Sequence, residues 1–135
     1  MMKRFCFAAA AALFVTSAAA ELPSGAKAPA FTTRAALAGK EFGFNLKAAL
    51  AKGPVVLYFY PKAFTQGCTL EANAFADAMP QFKAAGASVI GMSGDDIATL
   101  SRFSREECRD AFPVGVASAP IIAAYDVAMG KSGLT

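Results

Sequence analysis

The sequence predicts an α/β domain in which helices cover both faces of a mostly parallel sheet. Two observations lead to this prediction. Apolar runs rich in β-branched or aromatic residues occur at 55–60, 88–93 and 112–117, and a segment with apolar residues at helical spacing follows each run. Strands that alternate with helices form parallel sheets through right-handed crossovers. We therefore expect a parallel-rich sheet flanked by helices.

The first twenty residues are predicted to be a secretory signal peptide outside this domain. Lys3 and Arg4 give a basic start, and the apolar segment 5–15 is too short to span a bilayer. Three alanines at 18–20 offer the small residues that signal peptidase requires. We therefore expect one mature domain, residues 21–135, in the periplasm or outside the cell.

Without that segment the domain is nearly neutral. The whole sequence has 13 Lys and Arg against 10 Asp and Glu, with no His, and two of the basic residues belong to the predicted signal. This balance argues against a nucleic-acid-binding surface, and no second apolar segment of the sequence is long enough to anchor the chain in a membrane. The composition therefore points away from nucleic-acid and membrane partners.

The residues before the first long apolar run predict an arm, a short strand and a helical turn. Proline and glycine punctuate residues 21–30, which favours an irregular arm. Phe42 and Phe44 bracket a glycine in a short alternating strand, and the apolar residues at 46–50 suit one or two helical turns. Gly53 and Pro54 then open the predicted central strand.

That central strand, 55–60, leads into a helix. Pro61 ends the strand and a short loop closes with Gly67. Apolar residues then recur at helical spacing from Cys68 to about Ala85, and Pro80 predicts a kink or a break inside the helix. Cys68 is therefore expected where the helix begins.

The rest of the chain continues the alternation. The strand 88–93 is followed by a Gly-Asp-Asp turn that caps a second helix, which extends from Ile97 to about Glu107. A third strand, 112–117, has its proline near the start, where no ladder hydrogen bond is lost. A short helix is expected at 121–127.

The position of Cys68 predicts a nucleophile. Unpaired backbone N–H groups and the positive end of the helix dipole converge at a helix start, which favours a thiolate over a thiol. Thr65 lies three residues before the sulfur, so its hydroxyl can reach the thiolate or an oxygen atom bound beside it. Pro61 fixes the exit from the strand and shields one side. The alternative is a cysteine that merely packs under a helix.

Pro61, Thr65 and Cys68 form the pattern P-x-x-x-T-x-x-C directly after the strand VVLYFYP, and this pattern resembles the peroxiredoxins, most closely their bacterioferritin-comigratory (PrxQ-type) group. The resemblance implies a thioredoxin-like fold and a peroxidatic role for Cys68. It implies reduction of hydrogen peroxide or organic hydroperoxides at the expense of a thioredoxin-like or other dithiol. No metal, haem or flavin is implied as a cofactor.

The resemblance also implies features that this sequence lacks. Peroxiredoxins add an active-site arginine from a later strand, then two more strands and a final helix, whereas this chain stops at Thr135. Arg102, Arg105 and Arg109 precede that position and are interpreted as surface charges. We therefore expect a C-terminally incomplete domain with an uncovered strand edge.

A second cysteine is needed to resolve the sulfenic acid. Many PrxQ-type proteins carry it five residues after the first, but that position is Asn73 here. Cys108 is the remaining candidate of the mature chain, near the end of the second helix, and a disulfide with Cys68 would require local unwinding because its Cα atoms must lie within about 7 Å. Cys108 can also be a buried structural thiol, with the reductant attacking Cys68 directly.

Two other functions stay open on the sequence alone. The chain can be an impaired peroxiredoxin remnant or a redox-responsive binding protein, in which Cys68 oxidises without efficient turnover because the arginine is absent. It can also be another thioredoxin-like protein, such as a disulfide oxidoreductase or a copper carrier. The absence of a C-x-x-C pair and of histidine from the sequence weakens this last alternative.

Overall fold

The computed structural model describes residues 21–129. The predicted signal peptide and residues 130–135 lie outside the described residues. Within them the chain forms five strands and four helices, which alternate from β2 onward. The elements are β1 (Thr32–Leu37), β2 (Lys40–Asn45), α1 (Leu46–Leu50), β3 (Val55–Phe59), α2 (Gln66–Ala84), β4 (Ser88–Ser93), α3 (Ile97–Glu106), β5 (Val114–Val116) and α4 (Ala119–Ala124).

The five strands form one mixed sheet in the order β2-β1-β5-β4-β3. β3, β4 and β5 are parallel, with Val56 opposite Val89 and Gly91 opposite Val114. β1 pairs antiparallel with both β5 and β2. The carboxyl ends of the three parallel strands therefore meet at one edge of the sheet, which is where open α/β sheets place their sites. The predicted mixed sheet with flanking helices is confirmed.

The predicted central position of β3 is wrong for the described residues. β4 lies between two strands and is buried along nearly its whole length, whereas β3 is the last strand of the sheet and all five of its residues are half-buried. The composition of Val55–Phe59 suits a covered strand in either position, because β-branched and aromatic residues do not distinguish a centre from an edge.

Two apolar clusters lie on opposite faces of the sheet. Cluster 1 is packed under α2 and α3 and contains Cys68, Cys108, Phe103 and Phe112. Cluster 2 is packed under α4 and the N-terminal arm and contains Ile90, Met92 and Ile121 among others. The alternation of side chains along β4, with Val89 in cluster 1 and Ile90 in cluster 2, fills both clusters from one strand. Both cysteines of the described chain thus share one face.

The tip of the β1–β2 hairpin rests on α3. The N–H of Gly39 donates to the Ser104 hydroxyl at 2.9 Å, and that buried hydroxyl donates to the carbonyl of Ser101 at 2.8 Å. Gly39 has φ +76°, and a Cβ there would lie 2.6 Å from Cδ of Arg105. The glycine is required by the turn and by the close approach.

α2 continues through Pro80 to Ala84, so of the predicted kink or break the break is wrong. Pro80 lies on the exposed side of the helix, where its ring avoids the packed face. The apolar side of α2 is set instead by small residues, with Ala72 and Ala76 buried one turn apart. This side begins at Cys68, so the cysteine belongs to the face of α2 that contacts the core.

Candidate active site

Cys68 lies in the first turn of α2, at the carboxyl end of β3. The helix begins at Gln66 with Thr65 as its N-cap, and the Thr69 N–H donates to the Thr65 carbonyl at 2.9 Å. The predicted helix start is confirmed. The Gly67 and Cys68 N–H groups precede the first intrahelical donor, so they are available to an incoming anion or polar ligand. Cys68 is a free cysteine with 9% of its surface exposed.

The loop 61–65 connects β3 to Cys68 and is tightly folded. Phe64 has φ +65°, a left-handed conformation that a residue with a Cβ rarely adopts. The Thr65 hydroxyl donates to the Lys62 carbonyl at 2.9 Å, so it closes the loop on itself and is not directed at Cys68. Pro61 stands at the exit of β3, as expected. The structure therefore brings Pro61 and Thr65 to the cysteine loop, with the Thr65 hydroxyl engaged elsewhere.

The loop contacts α3 through the ring of Phe64. This ring packs edge-on against buried Phe103 with centroids 5.2 Å apart, and the guanidinium carbon of Arg102 lies 4.8 Å from the Phe64 centroid. Arg102 also forms an exposed ion pair with Glu106 at 3.7 Å. A cation over an aromatic face is attracted by the ring quadrupole. Arg102 is thus exposed as predicted, yet it also contacts the loop, which its sequence position did not reveal.

Two tyrosines of cluster 1 have buried hydroxyls next to the cysteines. Among the described residues, neither the Tyr58 nor the Tyr60 hydroxyl has a hydrogen-bond partner of good geometry. Burial raises the pKa of both phenols, with further increases from the negative charges that Cys108 and Cys68 carry when ionised; the nearby Ser93 hydroxyl offsets part of the rise at Tyr60. Both phenols are therefore protonated at neutral pH.

Cys108 lies just beyond the end of α3 and is fully buried. Burial raises the pKa of its thiol to about 12, and the negative charge of Glu107 adds to the rise. Its N–H donates to the Phe103 carbonyl at 3.0 Å, and its carbonyl accepts from the Ala111 N–H at 2.9 Å. Cys108 is a free thiol in this structure and is protonated at neutral pH.

A set of polar side chains ties the Cys108 segment to α2, and we call it the clasp: Asn73, Asp77, Glu107 and Arg109. The Asn73 amide donates to the Glu107 carbonyl at 3.1 Å and to its carboxylate at 3.0 Å. Arg109 donates to the Asn73 side-chain oxygen and to the Asp77 carboxylate, both at 2.7 Å. Arg109 is exposed, as predicted, but it joins two elements rather than standing alone.

An open depression of about 420 Å³ lies beside Pro61. Phe59, Tyr60 and Pro61 line it, together with the end of β4, Ile122 of α4 and the segment 127–129. The described residues contain no group of three or more His, Cys, Asp or Glu that could hold a metal ion. Over the same range, none of the helices has the length and apolar character needed to cross a bilayer.

A free cysteine in the first turn of a helix, at the carboxyl end of a strand in this mixed sheet, defines a protein of the thioredoxin-like class. A comparison with family models makes the assignment specific. Residues 24–134 match the model of the AhpC/TSA family, and the chain belongs to this family.

Individual relatives agree with the PrxQ-type resemblance. Chloroplastic peroxiredoxin Q of Suaeda salsa is 42% identical over 94 residues, which cover 69% of this chain and 42% of that protein. The crystal structure of peroxidoxin BcpB from Mycobacterium tuberculosis superposes with a TM-score of 0.65 at 33% identity, over 74% of this chain and 62% of that one.

A third relative is the bacterioferritin comigratory protein of Xanthomonas campestris, studied for its alkyl peroxide reduction activity. It superposes with a TM-score of 0.58 at 31% identity, over 68% of this chain and 57% of that chain. This chain thus spans about four tenths of the length of the curated relatives it matches. The thioredoxin-like fold is confirmed by these structures.

Several residues around the site have no signal in the sequence. Asp95, just after β4, accepts a hydrogen bond from the cysteine loop and is held by Ser93, and Asn73 and Arg109 belong to the clasp. Two hydrogen bonds hold these residues in place, and their partners are far apart in the sequence. Ala63 and Asp95 are separated by 32 residues, and Asn73 and Arg109 by 36. The helical period predicts that Asn73 and Asp77 lie on one side of α2, but nothing in the sequence indicates that Arg109 binds them.

Proposed function

We propose that this protein is a thiol-dependent peroxidase in which Cys68 is the peroxidatic cysteine. The observation that supports this most is the place of Cys68 in the first turn of α2, directly after the loop that carries Pro61 and Thr65. Membership of the AhpC/TSA family and the PrxQ-type relatives support the same activity.

In the proposed first step the Cys68 thiolate attacks the terminal oxygen of a peroxide. An S–O bond forms, the O–O bond breaks, and the departing oxygen leaves as water or an alcohol after taking up a proton. Negative charge develops on the departing oxygen, and the Gly67 and Cys68 N–H groups are suitable donors for it. Thr65 would exchange its bond to the Lys62 carbonyl for one to the peroxide.

In the proposed second step the Cys108 thiol condenses with the Cys68 sulfenic acid. The Cys108 sulfur displaces the hydroxyl, a disulfide forms and water is released. An external dithiol, such as a thioredoxin-like protein, then reduces the disulfide by two electrons and restores both thiols. Cys108 is fully buried, so the segment 107–110 must leave α2 before the sulfurs can meet.

Hydrogen peroxide and organic hydroperoxides are the proposed substrates. The Xanthomonas relative is known for alkyl peroxide reduction, and the largely apolar depression beside Pro61 offers room for the organic part of such a peroxide. Comparing kcat/KM for hydrogen peroxide and cumene hydroperoxide in the wild type and in an Ile122→Asp variant tests this. We expect the variant to lose activity selectively toward cumene hydroperoxide, and equal losses with both peroxides would reject the proposal.

Export to the periplasm or the medium is proposed from the basic, apolar and small-residue pattern of residues 1–20. The plant relatives are named as chloroplastic, which concerns those proteins. The N-terminal sequence of the protein recovered from cell fractions is the direct test. Mature protein that begins at Glu21 in an extracytoplasmic fraction is expected, and intact Met1 in the cytoplasm would contradict export.

The activity itself is tested by mixing the reduced chain with a small excess of hydrogen peroxide. Intact mass and thiol trapping then follow Cys68, with Cys68→Ser and Cys108→Ser as matched variants. We expect rapid sulfenic acid formation that requires Cys68, and then a disulfide that requires both cysteines. Oxidation of Cys68 no faster than that of a free thiol would reject the enzyme and favour a redox-responsive or inactive relative.

A further inference from the structure

The end of β4 reaches across to the loop that precedes Cys68. The Tyr60 N–H donates to the Met92 carbonyl at 2.9 Å, and three residues later the Ala63 N–H donates to the Asp95 carboxylate at 2.7 Å. The loop is therefore bound to the β4 segment on both sides of Pro61. One of these bonds is backbone to backbone, but the other depends on the side chain of Asp95.

We propose that Asp95 is a positioning residue for the peroxide reaction of Cys68. Its carboxylate holds the Ala63 N–H and so keeps the loop 61–65, and the helix start that follows, in the reactive arrangement. The inference rests on the proposed peroxidase function. Asp95 acts through the loop and does not contact the sulfur or the peroxide.

Ser93 orients the carboxylate. The Ser93 hydroxyl donates to the same Asp95 oxygen that accepts from Ala63, at 2.7 Å, and the Asp95 N–H donates back to the Ser93 oxygen at 3.3 Å. Ser93 is buried, with 1% of its surface exposed, so its hydroxyl has little competition from water. Two bonds on one carboxylate oxygen fix the side chain, and a bond to an ionised acceptor is stronger than one to a neutral acceptor.

The loop needs such a restraint because its next residue is strained. Phe64 holds a left-handed backbone conformation, which persists only when its surroundings impose it. The Asp95 bond fixes the residue before Phe64, and the Thr65 hydroxyl fixes the residue after it through the Lys62 carbonyl. Without Asp95, the buried Ala63 would keep an unpaired N–H, and the loop would relax toward solvent to satisfy it.

This relaxation has a specific chemical consequence. The Gly67 and Cys68 N–H groups face the peroxide only while the helix starts at Gln66, and the helix start is held by the loop. Movement of about 1 Å is enough to weaken catalysis that depends on fixed donors. Iodoacetamide also needs the Cys68 thiolate, which those donors favour, but its reaction has no departing oxygen for them to stabilise. Loss of Asp95 should therefore lower peroxide reactivity selectively.

The neighbouring Asp96 provides a matched control. Its carboxylate caps α3 by accepting from the Thr99 N–H at 2.7 Å. Asp96→Ala removes a carboxylate that accepts from a backbone N–H, as Asp95→Ala does, and Asp95→Ala also removes the bond from Ser93. The backbone N–H that loses its acceptor lies in the loop in one variant and in the first turn of α3 in the other.

The experiment measures the rate constants of Cys68 with hydrogen peroxide and with iodoacetamide, both in a Cys108→Ser background. We expect Asp95→Ala to lower the peroxide rate about tenfold or more while the alkylation rate changes less than about threefold. Asp96→Ala should leave both rates within about twofold. Asp95→Asn should recover most of the peroxide rate, because the amide oxygen still accepts from Ala63 and Ser93.

Equal peroxide rates in the Asp95→Ala and Asp96→Ala variants, or parallel losses of both reactions, would overturn the proposal. If Asp95→Ala does not fold, Ser93→Ala takes its place, with a smaller selective loss expected because the carboxylate remains but is less fixed. Hydrogen exchange of the Ala63 amide gives a reading that does not need activity, and protection should fall in Asp95→Ala alone. Slow oxidation of the wild-type Cys68, by contrast, would reject the peroxidase function itself.

Discussion

Cys68 and Cys108 lie on the same face of the sheet but at opposite ends of two helices. Cys68 is in the first turn of α2, where N–H groups without helical partners are available, and Cys108 follows the last turn of α3, where carbonyl groups are in excess. The loop before Cys68 contains Phe64 in a left-handed conformation, whereas Cys108 is fully buried in the segment that the clasp ties to α2. The two cysteines thus differ in the backbone groups around them and in burial, and burial is what raises the pKa of the Cys108 thiol.

The two positions also suit two different steps. A cysteine that attacks a peroxide must be ionised and accessible at once. A cysteine that reacts only after the first has been oxidised gains from being protonated and covered, because it is then protected from the same oxidant. Burial of Cys108 is thus compatible with a resolving role, provided that the segment carrying it can open.

The largest contrast is expected in the reaction with peroxide. Cys68→Ser should lower the rate of peroxide consumption by about four orders of magnitude or more, because it removes the nucleophile. Cys108→Ser should leave the first oxidation of Cys68 unchanged and stop the disulfide. Stopped-flow consumption of hydrogen peroxide, with mass spectrometry of the product, measures both. Equal losses in the two variants would show that the cysteines do not have separate roles.

The next contrast concerns alkylation of Cys108. A thiol with a pKa of about 12 in the folded protein, against 9.0 in the unfolded chain, should react with iodoacetamide about a thousandfold more slowly in the folded state near pH 8. Peptide mapping after a timed pulse, with and without denaturant, measures this protection. Alkylation of native Cys108 at the denatured rate would show that the segment 107–110 is open in solution.

The same thiol makes the stability of the protein depend on pH. Its folded pKa lies above its unfolded pKa, so the unfolded chain loses the proton first, and stability that is complete below about pH 9 falls as the pH rises toward 12. At about pH 10 the loss is about 1 kcal/mol.

Urea unfolding at several pH values between about 8 and 10 measures this loss. The free energy of unfolding should fall with pH in the wild type and fall less in Cys108→Ala, whatever the stability of that variant at about pH 8. Tyr58 and Tyr60, whose pKa values burial also raises, affect stability in the same direction at higher pH. The wild type and Cys108→Ala are therefore compared only between about pH 8 and 10, where the Cys108 thiol titrates in the unfolded chain. An identical decline in the wild type and in Cys108→Ala would exclude Cys108 as the source.

The smallest effect is expected from the clasp. Arg109→Ala should speed formation of the Cys68–Cys108 disulfide about two- to fivefold without changing the first oxidation, because exposed ion pairs and their hydrogen bonds contribute about 1 kcal/mol or less. Arg34→Ala is a suitable control, since it breaks an exposed ion pair with Glu41 that lies within the hairpin and outside the clasp. Slower disulfide formation in Arg109→Ala would mean that the clasp guides the two sulfurs together rather than keeping them apart.

Much of the fold, and the place of Cys68 at a helix start, could be predicted from the sequence. The start of α2 follows from Pro61 and Gly67 around a short loop, and the bounds of β4 and the Asp96 cap of α3 agree with the predicted strand and turn. These features depend on local backbone preferences, which neighbouring residues determine.

The remaining features depend on distant partners. β1 was missed because Thr32–Leu37 has no alternating apolar pattern and owes its conformation to pairing with β2 and β5. The edge position of β3, the Asp95 bond to the loop and the clasp are long-range relations as well. Hydrogen bonds between residues more than thirty positions apart leave no periodic signal in a single sequence.

The contact between the hairpin and α3 limits how much of the chain must open to expose Cys108. Gly39 and Ser104 fasten the last turn of α3 to the sheet. The backbone N–H groups of Glu107, Cys108 and Asp110 donate only to Phe103 and Ser104, so beyond these bonds the clasp is what ties the segment to α2. A cooperative unit is bounded where such long-range contacts end. Opening can therefore be subglobal and start after Ser104, so that exposing the buried thiol costs far less free energy than unfolding the domain.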